Sequence, residues 1–99
     1  MSITTLEKVQ RIISLAMLLN PTETWRKITG SKPTVFIEFS GHVSWLRITI
    51  YALGWQTDEK PDYDVTIHLC EDPDEKLNSV IKTLTELYDE WKDKEVKAS

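Results

Sequence analysis

His68 and Cys70 stand two residues apart at the end of a β-branched run, so a strand there would set both on one face. His42, at the tip of the first hairpin, approaches them if strand three pairs beside strand two. A thiolate–imidazole nucleophile or a three-ligand zinc site is the chemistry such a trio can perform. The spacing supports neither, because the chain has no CxxC, no HExxH and a single cysteine. A lone cysteine is ordinarily a small core residue. There is no Gly-rich phosphate loop and no GxSxG, and three glycines leave little loop chemistry to build on. The reading is therefore a protein that is not an enzyme, with no catalytic residues, no metal and no cofactor.

Carboxylates are the next candidates. Residues 58–75 hold Asp58, Glu59, Asp62, Asp64, Glu71, Asp72, Asp74 and Glu75 against Lys60 alone. The net charge of the whole chain is −4, so this one segment carries the acidity. Asp58, Asp62 and Asp64 lack the twelve-residue pattern with central Gly and closing Glu that a calcium loop needs. The segment reads either as solvated acids around a helix start or as a surface that steers a basic protein partner toward the chain.

A third set is aromatic. Phe36, Glu38, Trp45, Arg47, Thr49, Tyr51, Thr66 and His68 share one parity along three strand-like runs. Three rings with an Arg on the solvent side of a sheet is the composition of a contact surface. Single-strand nucleic-acid binders stack bases on such rings. Here a basic stripe would have to come from Arg26, Lys27, Lys32 and Arg47, so direct nucleic-acid binding is not expected.

The elements that must position these residues follow from pattern. Thr4 and Glu7 have the form of a capping box, and apolar residues recur at helical spacing to Leu19, which predicts a helix over 5–19. Residues 12–19 are apolar almost all round, so another helix or a second copy of the chain should cover them, with a homodimer as one outcome. Asn20-Pro21 reads as a new start, predicting a short helix over 21–29 that carries Trp25 and Ile28. Three strands are predicted over 34–39, 43–53 and 63–69. Val35, Ile37 and Phe39, then Leu46, Ile48, Ile50 and Ala52, then Val65, Ile67 and Leu69 should face the core. Gly41-His42 as a two-residue turn pairs Ile37 with Leu46 and Val35 with Ile48. It sets Glu38 beside Trp45 and Phe36 beside Arg47. Asp72-Pro73 should start a last helix with an apolar stripe from Leu77 to Trp91, leaving a frayed tail over 93–99.

The expected fold is thus α+β, a two-layer α-(short α)-β-β-β-α arrangement in one domain over 1–99. The sheet is a three-stranded antiparallel meander with the helices mainly on one face. The helix, three strands, helix order is similar to that of double-stranded RNA-binding domains. Those domains present lysines at the start of the last helix, whereas this chain has Glu71, Asp72, Asp74 and Glu75 there, so the likeness is one of topology and carries no function.

Ninety-nine residues, 40 % of them hydrophobic, suffice for one core that hides roughly 65 % of the unfolded surface without metal or disulfide. The lone Cys70 points to a reducing, cytoplasmic setting. No signal peptide is read at the N-terminus, and the longest apolar run, Leu15 to Leu19, cannot span a bilayer. The function expected is a small acidic interaction module, an inhibitor or regulator with the size and charge of phage or immunity proteins. The alternatives are single-strand nucleic-acid binding through the aromatic face and a homo-oligomeric structural subunit.

Overall fold

The computed structural model describes residues 2–20, 33–54, 60–72 and 74–98, the last six of these as backbone alone. The chain runs α1 (Ile3–Leu19), β1 (Thr34–Ser40), β2 (Trp45–Tyr51), β3 (Tyr63–His68) and α2 (Asp74–Ala98). The strands form one antiparallel sheet in the order β1-β2-β3. The short helix expected over 21–29 lies outside the described residues.

Helix α1 begins before the expected capping box. Ser2 is its cap and accepts a hydrogen bond from Thr5 N at 3.1 Å, while Thr4 is already helical. Beyond this local cap, Thr5 is buried, and its hydroxyl donates to Asp74 Oδ1 at 3.0 Å. Lys8 Nζ reaches the other oxygen of Asp74 at 3.3 Å. The two helices therefore start side by side at the end of the sheet where β1 turns into β2. At the opposite end Asn20 closes α1 and turns its amide onto β1; the following helix that it is expected to cap lies outside the described residues.

The hairpin register differs from expectation by two residues. Val35 lies opposite Ile50, Ile37 opposite Ile48 and Phe39 opposite Leu46, so the loop is the four residues Gly41–Ser44 rather than Gly41-His42. A two-residue slip keeps every side chain on its face, and hydrophobic parity cannot distinguish the registers. Cross-strand pairing can. The observed register sets Glu38 opposite Arg47 rather than Trp45, and brings Phe36 within an edge-to-face contact of Tyr51, 5.7 Å between centroids. Pairs of these kinds are each worth about 0.2–1 kcal/mol. The longer loop holds Ser44 at φ 54° and offers its carbonyl to Leu69 N at 2.8 Å, lengthening the β2–β3 ladder.

Strand β2 stops at Tyr51, short of the expected Leu53, because the chain turns there. Gly54 N bonds back to Tyr51 O with Gly54 at φ 98°, and the Asp62 carboxylate takes Ala52 N at 2.7 Å. Helix α2 continues through the tail expected to fray, to Ala98. Residues 92–98 contain no Gly or Pro and are mostly good helix formers, so nothing in them ends the helix.

The core lies between the sheet and both helices. Ile12, Leu15, Ala16 and Leu19 of α1 and Leu77, Val80 and Leu84 of α2 meet Val35, Leu46, Ile48, Ile50 and Ile67. Phe39, expected in this core, is 64 % exposed: it ends its row on the outer strand, while its neighbours Leu46 and Ile67 in the same row are buried. The far side of α1 is also bare. Met17 and Leu18 are 60 % and 56 % exposed, and Ile3, Leu6 and Ile13 are exposed beside them, so only one side of the apolar run 12–19 is buried within the chain.

Candidate sheet-face interaction site

The outer face of the sheet, turned away from both helices, gathers the residues that parity assigned to it. Register lines them up in rows: Ser40, Trp45 and His68; Glu38, Arg47 and Thr66; Phe36, Thr49 and Asp64. Tyr51 closes the face opposite Thr34. Phe36, Glu38, Arg47, Thr49 and Tyr51 line a shallow depression of about 220 Å³.

Asp64 belongs to this face, although its charge groups it with the acidic segment in sequence. The Arg47 guanidinium grips it with both arms, Nε to Oδ1 at 3.0 Å and a terminal nitrogen to Oδ2 at 2.8 Å. That hydrogen-bonded pairing holds the Asp64 carboxyl below its ordinary value and raises the guanidinium above its own. Its place was legible in the period-two alternation with Thr66 and His68. Its bidentate partner was not, because that contact runs diagonally between strands whose register only the fold sets.

The acidic segment is divided by the structure. Asp62 closes the turn after β2, and Asp74 ties α2 to α1. Asp72 turns back to β3: its carboxylate accepts from His68 N at 2.7 Å and pairs with Lys76 at 3.1 Å. The His68 N–H, followed by the Lys76 ammonium, lowers the Asp72 carboxyl below its ordinary value. Glu71 and Glu75 are exposed, and Asp58 and Glu59 lie outside the described residues. Of the six described acids, four hold this chain's own groups, and Glu71 and Glu75 are exposed without such a contact among the described residues.

Asp72 yields a pH prediction. A carboxyl lowered by folding contributes stability above its unfolded value of 3.8, and that contribution is lost as pH falls through the lower folded value. Acid unfolding followed by circular dichroism should show wild type losing stability below pH 3.8 more steeply than Asp72→Asn, with the two curves converging in acid. Parallel curves would mean that Asp72 is not held as described.

His68 and Cys70 are both exposed, but among the described residues no three His, Cys, Asp or Glu side chains come together as metal ligands. No helix among them is long and apolar enough to cross a membrane. Fold and face together define a small α+β protein with an antiparallel meander, helices on one side and an aromatic, charged surface on the other. The chain matches no protein-family model, and no curated protein or solved structure is significantly similar to it.

Proposed function

We propose that this protein is a non-catalytic interaction module that binds a partner protein through the outer sheet face. The observation that carries the reading is the assembly of Phe36, Trp45, Tyr51, Glu38 and Arg47 on one surface opposite the helices. Aromatic rings and Arg are the residue types that concentrate binding energy in protein interfaces. Arg47 is fixed by Asp64 before any partner arrives, which reduces the ordering that binding requires. Glu71, Glu75 and the acidic composition of 58–75 favour a basic partner, a nucleic-acid-binding protein among them, and suit a small cytoplasmic inhibitor or regulator of the phage or immunity kind. The test is affinity capture from the native cell with wild type, Arg47→Glu and Trp45→Ala. Partners retained by wild type and lost by both folded variants support the face; equal retention by all three sinks it. Against a captured partner, Glu71→Lys with Glu75→Lys should slow association at low salt.

Self-association through α1 is a second reading, favoured by the exposed Ile3, Leu6, Ile13, Met17 and Leu18. Sedimentation should then show a dimer that Met17→Glu dissociates. A strict monomer at high concentration removes this reading.

A further inference from the structure

The edge of β1 at Ile37 and Phe39 deepens this reading and rests on it. In an antiparallel ladder the backbone groups of successive residues point alternately toward the paired strand and away from it. Asn20 takes both backbone groups of Val35 from outside the sheet: its amide nitrogen donates to Val35 O at 2.8 Å, and its oxygen accepts from Val35 N. Val35 therefore faces away from β2, and so do Ile37 and Phe39. Among the described residues, nothing takes the N–H and C=O of these two. The other edge is shielded at its corresponding end, where Asp72 takes His68 N and the N–H groups of Glu71 and Asp72 bond His68 O at 3.1 and 2.7 Å. At the hairpin end, across the sheet toward β3, the exposed Phe39 ring lines an apolar hollow of about 130 Å³ with Ser44, Leu69 and Cys70.

We propose that Ile37–Phe39 accepts a fourth antiparallel strand from the partner, an extended segment with the alternation apolar, basic, apolar. Strand addition draws affinity from main-chain hydrogen bonds and specificity from alternate side chains. Residues opposite Ile37 and Phe39 would lie on the helix-bearing side and cover apolar surface that β1 leaves open. The residue between them would lie against Glu38, which is exposed and opposite an Arg47 already engaged by Asp64. A Lys or Arg there continues an alternation of charge across the face. A second copy of this chain fits badly. Asn20 occupies the Val35 position, and the register that employs both open residues of both copies sets the two Glu38 carboxylates directly opposite, a destabilising arrangement.

The test titrates the full chain with two synthetic peptides at millimolar concentration, Thr-Val-Lys-Val-Thr and Thr-Val-Glu-Val-Thr, and reads amide shifts and exchange by NMR. The lysine peptide should slow exchange at Ile37 and Phe39 and bind about five-fold more tightly than the glutamate peptide, a ratio set by the cross-strand charge pair. Glu38→Lys should reverse the preference. Phe39→Pro, which removes one outward N–H at a tolerated edge position, should abolish the protection while the circular dichroism stays native. No slowing at Ile37 and Phe39, equal affinity for the two peptides, or protection that grows with protein concentration in the absence of peptide each overturns the proposal. If the peptides fail while Arg47→Glu and Trp45→Ala still lose their captured partner, the edge assignment falls and the sheet-face reading stands.

Discussion

Ile48→Ala should lower the unfolding free energy by about 3–4 kcal/mol, the middle of the range for emptying a fully buried aliphatic site. Ile48 is completely buried in the central strand, between Ile37 on β1 and Val65 on β3, and belongs to the cluster that both helices cover. A domain of this kind is stable by about 5–15 kcal/mol, so the loss takes a large part of what holds the fold. Urea denaturation should show the midpoint falling with an unchanged slope. Leu18→Ala on the bare side of α1 is the contrast, expected to change stability by about 0.5 kcal/mol or less. Similar losses at the two positions would mean that the chain does not bury the sheet face and spare the far side of α1 as described.

Asn20→Ala should have two effects, one on stability and one on association. Its side chain is the external partner of both Val35 backbone groups, and removing it leaves a donor and an acceptor at a partly buried site without partners. An unsatisfied buried group costs about 1–3 kcal/mol, and a net loss near 2 kcal/mol is expected because water reaches an edge more readily than a core. The same substitution lengthens the open edge from Ile37–Phe39 to Val35–Phe39. Two copies can then pair with Ile37 opposite Ile37 and Phe36 opposite Glu38, which relieves the like-charge clash that opposes pairing in wild type. Light scattering at rising concentration should therefore detect more association in Asn20→Ala than in wild type. Asn20→Asp tests the mechanism, since it retains the acceptor for Val35 N and loses the donor to Val35 O. Wild-type stability in both variants would show that Asn20 does not guard the edge.

Much of this protein is written in local pattern. The two long helices, the three strands, the α+β order and the membership of the outer face all follow from spacing of 3.6 or 2 residues, which operates within one element. The parity that placed Phe36, Glu38, Trp45, Arg47, Tyr51 and His68 together survived a register error, because a slip of two preserves faces. Quantities that depend on which element meets which were not legible. The register that sets Glu38 opposite Arg47 and Phe36 against Tyr51, and the Thr5–Asp74 contact that joins the two helix starts, are of this kind. The acidic segment read as one patch because charge was summed along the chain, whereas in space Asp62, Asp64, Asp72 and Asp74 each turn to a different part of the molecule. The local Asn-Pro pattern at Asn20 says nothing of Val35, and only the return of β1 past the end of α1 brings the two together. Local periodicity thus determined which residues share a face, and the tertiary fold decided which of them are already engaged and which remain to meet a partner, because hydrogen bonds between distant segments leave no periodic trace in the chain.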